Sequence, residues 1–511
     1  MKKFSVRSAL ALGIFALMSS TALAQGVQPS GVLKIAVGAD PETFDPHFND
    51  LPTGNTVDLH VLEGLFRLDA ENNVVKELAT DYSFSDDGMT FTVKIKKGKT
   101  FSNGDPLDAK AVAASFMRLL NPEVGSIYRG LYSSIKEVTA PDDETVVFHL
   151  GERNGHILLL LASTNATIVN VTALEKMGAE YSRKPVGSGP YMVDSIVGGE
   201  RYRLVPNPRY EGDFPAKLEA IEFVVVPEDG ARMALLETGE VDIVERVPPE
   251  ALQTIDALDE ASVMKPPSMF SINMEIVLKG PMKDPRVREA LNLAVDREGM
   301  IEGILGGLGT PSVTMPGPGT QNELRVTFVP IPFDPARAKE LLAQAGYAPG
   351  QLSLTMVCPT GRYIKDAQVC QALQASFQAI GINAQARIVD RGTWTQIVSQ
   401  PPAQRDDDMA MLGRATAGMD YTLYRLFRTG VSANTTGYSN PEVDDLLTRG
   451  RAETDPEKQK EIYGQIQKRI WEDRPFVFLW YQTQAIGVAD RVKGLGVQPN
   501  ETMHFDKVTL Q

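Results

Sequence analysis

Four times in its second half the chain sets a capping side chain directly before proline: Asp284-Pro285, Asp334-Pro335, Asn440-Pro441 and Asp455-Pro456. Each side chain can accept from the free N–H groups of a first helical turn, and the proline lacks an N–H and has its φ preset. Each pair therefore predicts a helix start. After Asp455, Ile462, Ile466 and Ile470 recur at four-residue spacing on one helical face. Apolar runs at 352–357 (LSLTMV) and 384–389 (AQARIV) bracket a helix that ends near 379. Helices alternating with strands predict βαβ units and an α/β fold.

The first half is richer in strands. Residues 32–37 (VLKIAV) and 221–226 (IEFVVV) read as buried strands. Phe91, Val93 and Ile95 alternate with Thr92 and Lys94, and Val146, Phe148 and Leu150 repeat the two-residue spacing; period two marks a half-buried strand. Asp87-Gly88 suits a hairpin turn, because glycine tolerates positive φ. Residues 311–319 read as a loop, 303–309 as a helix end, and 400–408 (QPPAQRDDD) as a polar surface segment. At about 100–200 residues per domain, 511 residues allow two to four domains.

The N-terminus reads as an address. Lys2, Lys3 and Arg7 precede an apolar run at 9–18, and Ala22-Leu23-Ala24 offers a small-x-small cleavage pattern. This is a secretory signal peptide, cut between Ala24 and Gln25, whose apolar run is too short to span a bilayer of about 30 Å. No cysteine stands at the cut and no later apolar run reaches about 18 residues. The mature chain is expected free of the membrane, in the periplasm. An oxidising compartment permits a disulfide between Cys358 and Cys370, the only cysteines; two separate buried thiols are the other reading.

Function classes can be excluded by the same reading. A net charge of −14 disfavours nucleic-acid binding, which needs surplus Lys and Arg. His47, His60, His149, His156 and His504 are scattered, with no His-Glu-x-x-His, so no metal site is expected. Gly187-Ser188-Gly189 lacks the spacing of a nucleophile elbow. Ser-x-x-Lys occurs at Ser133 to Lys136 and at Ser262 to Lys265 without companion motifs. No residue arrangement nominates an enzyme or a cofactor.

The chain carries in succession DPETFDPHF at 40–48, Leu62-Glu63-Gly64-Leu65, DYSFSDDGMTFTVKIKKGKTFSNGDPLDAKAV at 81–112 and PVGSGPY at 185–191. NPRY at 207–210, LETGEVDI at 236–243, DPRVREALNLAVDRE at 284–298, ARAKELLAQAGY at 336–347 and NTTGYSNPEVDDLL at 434–447 follow. Together and in this order these segments resemble the extracellular solute-binding proteins of family 5, the dipeptide and oligopeptide class. YRGLYSSI at 128–135 and the ending at 497–511 resemble the glutathione-binding branch. The resemblance implies a two-lobed periplasmic binding protein fold, type II (cluster C), with an inserted domain. The first lobe would take 26–70, 190–288 and 490–511, the inserted domain 71–189 and the second lobe 289–489. It also implies a monomer that captures a short peptide or peptide-like solute between the lobes and delivers it to an inner-membrane ABC permease. A periplasmic chaperone or signalling receptor on the same fold is the alternative.

Candidate ligand contacts follow. Asp420 matches a family position that receives a ligand's amino group, and Arg362 one near its carboxyl end, with Tyr363 on the same loop. Arg414 stands where the family usually has Trp; a guanidinium there could take a carboxylate bidentately, or pair with Asp406, Asp407 or Asp408. Asn49 and Asp50 follow the DPHF signature, Ser268, Met269 and Phe270 precede a hinge, and Trp394 follows a strand end. Tyr191 is expected to lock the hinge. Arg286, Arg288 and Arg297 are expected to be structural, paired with Asp284, Glu289 and Asp296.

Overall fold

A computed structural model describes residues 29–41, 43–49, 51–266, 268–319, 321–414, 418–431 and 433–511. The expected signal segment, 1–24, lies outside the described residues, and so does Asp50. Among the described residues no helix is long and apolar enough to cross a membrane.

Two mixed sheets organise the molecule. The first runs Ala261–Met264, Ile486–Ala489, Ile243–Val244, Val32–Val37, Ala220–Val225, Arg201–Pro206 and Tyr191–Val197. Val32–Val37 is nearly all apolar because parallel neighbours flank it on both sides and its faces are covered. The second sheet runs Gly309–Pro311, Phe476–Gln482, Ser271–Ile276, Met409–Arg414, Ser353–Pro359 and Asn383–Val389. Its last two strands pair in parallel through the helix Asp366–Ala379, the expected βαβ unit. A third, antiparallel sheet (Ala79–Phe84, Thr90–Ile95, Thr145–Leu150, Ile135–Asp142) packs on the helix Ala109–Leu120 around its own core.

The local signals act as their chemistry requires. Asp284, Asp334, Asn440 and Asp455 each accept a backbone N–H at the start of their helix. Ile462, Ile466 and Ile470 are buried on one face. Gly88 turns the first hairpin at φ +68°, and Asp87 accepts from Ser85 Oγ and Met89 N–H.

Longer-range expectations need correction. The strand Ser271–Ile276 stands in the second sheet, between Phe476–Gln482 and Met409–Arg414, although the expected first lobe runs to 288. Ile486–Ala489 stands in the first sheet, although the expected second lobe runs to 489. The chain thus crosses between sheets between Met264 and Ser271 and returns between Gln482 and Ile486. Tyr191 is not at either crossing: its hydroxyl accepts from the N–H groups of Lys217 and Leu218 within the first lobe. Arg286 pairs with Asp284 as expected, but Arg288 donates to the carbonyls of Met282, Lys283 and Asp473. Arg297 likewise serves the carbonyls of Asn292, Val295 and Phe478. Residues 400–408 are not all surface, because Arg405 and Asp407 form a pair with both side chains fully buried.

Cys358, on the strand Ser353–Pro359, is disulfide-bonded to Cys370 on the helix Asp366–Ala379, with Cα atoms 6.5 Å apart. The bond clamps the two ends of the loop at 361–365. Replacing both cysteines by serine is expected to cost about 2–3 kcal/mol of stability, the scale for closing a short loop. Urea unfolding of the double variant beside the parent measures it.

Candidate functional site

A cavity of about 500 Å³ lies between the lobes, within the size range of small-ligand sites. The first lobe contributes Asn55 and Leu59 from the helix Pro52–Val61, Arg246 with its neighbours, and the turn with Gln498, Asn500 and Glu501. The second contributes the loop 361–365, Arg391 and Gln482. Met269, Phe270, Gln484 and Ala485 line it from the two crossings, and Tyr128 and 162–165 from the third-sheet domain.

The loop 361–365 is held from behind. The buried carboxylate of Asp366 accepts from the N–H groups of Gly361 (3.2 Å), Arg362 (2.8 Å) and Tyr363 (3.0 Å). The Tyr363 hydroxyl accepts from Gly413 N–H at 2.8 Å, and its ring lies 6.3 Å from Phe270 and 6.4 Å from Trp394. The Arg362 guanidinium sits over the Tyr363 ring at 5.3 Å. Three successive N–H groups on one carboxylate, with a disulfide across the loop's ends, fix the backbone that presents Arg362. A site held this way loses little entropy when ligand arrives.

The charges on the wall do not cancel. Lys365 pairs with Glu250 across the lobes at 2.9 Å, and Asp229 pairs with Arg232 at 2.6 Å. Arg246, Arg362 and Arg391 make no ion pair among the described residues. Glu501 also lacks one, and its Oε1 is buried without a hydrogen-bond partner. Burial pushes its carboxyl up to about 7, with Glu245 adding to the rise and Arg246 and Arg362 offsetting part of it. The cavity therefore presents more uncompensated positive than negative charge.

Four of the residues singled out in the sequence line this cavity: Met269, Phe270, Arg362 and Tyr363. Two stand one step behind. Asn49 donates to Asn55 Oδ1 (3.2 Å) and Asp58 Oδ2 (2.9 Å), and Ser268 Oγ accepts from Phe270 N–H (3.1 Å). Three are engaged elsewhere. Trp394 donates to the Met411 carbonyl from a small core with Val398 and Leu412. Arg414 forms two bonds to the buried Glu275, at 2.6 and 2.7 Å, leaving Asp406 to Arg387 and Asp407 to Arg405. Asp420 accepts from Arg451 at 2.9 Å and from the Tyr463 hydroxyl at 2.9 Å, and that hydroxyl lies 3.0 Å from His156. Each carboxylate oxygen of Asp420 thus has a donor within the protein, and Asp420 does not line the cavity. Asp420→Ala is expected to lower stability by about 1–3 kcal/mol, by removing the buried carboxylate that Arg451 and Tyr463 share, although Arg451 keeps Glu152 and Tyr463 keeps His156. Denaturant unfolding measures that loss, and calorimetric titration should find ligand affinity changed by less than about threefold, well under the scale of a lost charged hydrogen bond.

Arg246, Arg391, Glu501 and Asn55 were not signalled by any motif. Arg246 and Glu501 sit at φ +57° and +75°, a region non-glycine residues seldom adopt. Tyr128 and Glu501 do fall within the segments 128–135 and 497–511 that carry the branch resemblance.

Comparison with known proteins gives one family and one consistent fold. Residues 73–434 match the family described as bacterial extracellular solute-binding proteins, family 5 Middle. The chain is 30% identical to the glutathione-binding protein GsiB of Escherichia coli (strain K12) over 513 aligned positions, covering 98% of each. Among solved structures it resembles the ABC transporter-associated periplasmic binding protein DppA of Helicobacter pylori in complex with the peptide STSA. That match has TM-score 0.81 and 24% identity, over 94% of this chain and 98% of the other. AgaA of A. tumefaciens R10, in complex with agropinic acid, matches with TM-score 0.79 and 24% identity, over 94% and 99%. These neighbours share the two-lobed α/β architecture.

Proposed function

The chain belongs to the bacterial extracellular solute-binding proteins of family 5, and on that premise we propose that it captures a small anionic, peptide-like solute between its lobes and delivers it to an ABC permease. The observation that carries the ligand class is the set of arginines, Arg246, Arg362 and Arg391, that face one cavity from two lobes and make no ion pair among the described residues. A guanidinium takes a carboxylate through two parallel hydrogen bonds, each group being planar. GsiB is described as glutathione-binding and the AgaA structure is a complex with agropinic acid, both acids, which supports the reading.

The same charges supply a reason for closure to depend on ligand. Bringing Arg246 of the first lobe towards Arg362 and Arg391 of the second costs repulsion when the cavity is empty. A ligand carboxylate between them turns that cost into attraction, so the bound form favours approach of the lobes by differential contacts. Micromolar capture needs about −8 kcal/mol. Two charged hydrogen-bonded contacts at about 1.5–3 kcal/mol each, with apolar contact on Phe270 and Leu59, come close to that. The crossings at 265–270 and 483–485 are the proposed hinges, and 71–189 the inserted domain. The proposed setting is the periplasm, reached through cleavage after Ala24, with the chain acting as a monomer and making or breaking no bond.

Calorimetric titration with glutathione, Ala-Glu and γ-Glu-Glu beside neutral dipeptides and sugars tests the ligand class. Binding confined to the acids supports it, and binding confined to neutral solutes refutes it. Permease-dependent uptake of the bound acid, lost when this protein is deleted, tests the transport role.

A further inference from the structure

We propose that Glu501 is an ammonium-binding subsite on the first-lobe wall of the cavity, so that the ligand is a zwitterionic acid with its amine on Glu501 and its carboxylates on the arginines. This rests on the cavity being the ligand site, as proposed above. Among the described residues, the carboxylates that line it are Asp229 and Glu501. Asp229 pairs with Arg232 through Oδ1 and is largely solvent-exposed. Glu501 keeps a buried oxygen with no donor, and a buried carboxylate oxygen left unmatched is unfavourable unless a donor arrives.

The protein holds Glu501 in that state. Its backbone is at φ +75°, in the left-handed region, within a turn tied by Glu501 N–H to the Gln498 carbonyl (2.8 Å) and Gln498 N–H to the Thr502 carbonyl (2.9 Å). The Gln498 side chain anchors the turn by donating to the carbonyls of Leu68 and Asp69, at 3.1 and 3.0 Å. Strained backbone survives where its surroundings over-determine it, and such positions gather at binding sites. The charged groups facing Glu501 are Arg246 and Glu245 from its own lobe and Arg362 from the other. Neither arginine closes an ion pair with it, so both remain available to carboxylates. Asp420, the residue that the family resemblance marks for an amine, is engaged by Arg451 and Tyr463 and does not line the cavity.

Burial raises the Glu501 carboxyl to about 7. Near neutral pH an incoming ammonium completes its ionisation, and a proton leaves with binding. The raised value has a second consequence without ligand. The folded state holds this proton more tightly than the unfolded one, so Glu501 favours folding at low pH and that contribution is lost as pH rises through about 7.

The test is Glu501→Gln, which keeps shape and removes the charge. Glutathione, Ala-Glu and γ-Glu-Glu are titrated calorimetrically, each beside its N-acetylated form, in buffers of different ionisation enthalpy. The parent should prefer free amines by about tenfold or more, the scale of a charged hydrogen bond. The variant should bind both forms within about threefold, short of that scale. Proton release on binding at pH 7 should occur in the parent and vanish in the variant. The variant's melting temperature should exceed the parent's at pH 8 and match it at pH 4. An unchanged amine preference in the variant overturns the subsite, and so does equal binding of both forms by the parent; either leaves the cavity reading standing. If no form of any of these acids binds the parent, the cavity reading fails and this inference falls with it.

Discussion

Arg362→Ala is expected to weaken binding of an acidic peptide such as glutathione by about 1.5–3 kcal/mol, roughly 10- to 150-fold. Arg362 is the cavity arginine whose backbone is most firmly placed, by Asp366 and by the disulfide between Cys358 and Cys370. It makes no ion pair among the described residues, so its removal strands no opposite charge there. Stability should therefore stay within about 0.5 kcal/mol of the parent, as for other substitutions away from buried networks. Lysine in its place should recover only part of the affinity, because an ammonium cannot match a carboxylate with a planar fork. Titration calorimetry with denaturation controls separates the two effects. An unchanged affinity in Arg362→Ala would remove this residue from the site.

Asp407→Ala is expected to destabilise the fold by about 3–5 kcal/mol, the largest single effect predicted for this chain. Arg405 and Asp407 are both fully enclosed, with Arg405 Nε 3.0 Å from Asp407 Oδ1. Arg405 also donates to the Thr435 carbonyl at 3.1 Å, and its own carbonyl accepts from Lys279 Nζ at 2.7 Å. Removing the carboxylate leaves a guanidinium out of water without an anion. The cost is that of the stranded charge rather than the worth of the pair. A double replacement by apolar residues of similar size, Arg405→Met with Asp407→Leu, should recover much of the loss for the same reason. Chemical denaturation of the single and double variants checks both statements.

How far the sequence could be read depended on the range of each interaction. The caps at Asp284, Asp334, Asn440 and Asp455 involve a side chain and an N–H two or three residues on, so they were legible. The hairpin at Gly88 and the buried face of Ile462, Ile466 and Ile470 were legible for the same reason. The sheet to which Ile486–Ala489 belongs was not, because its partners lie at 243–244 and 261–264. Asp420 looked free because nothing near it in sequence could hold it; its donors are Arg451 and Tyr463, brought in by helix packing. Arg414 looked close to three aspartates and took Glu275 instead, on the adjacent strand of the second sheet but four residues along from its register partner Ser271. Arg405 and Asp407 sit in a run of charges that reads as solvated, yet the chain turns inward there. The cavity residues Arg246 and Glu501 depend on positive φ, which only tertiary constraint imposes on such side chains.

Native mass spectrometry of the protein isolated from its source without refolding would identify what the interlobe cavity holds. An acid-binding, non-catalytic cavity predicts a single non-covalent occupant, released unchanged on denaturation, with more carboxylates than amines and a one-to-one stoichiometry. Recovery of only neutral or cationic occupants, or of a chemically altered form of an acid supplied intact, would contradict it.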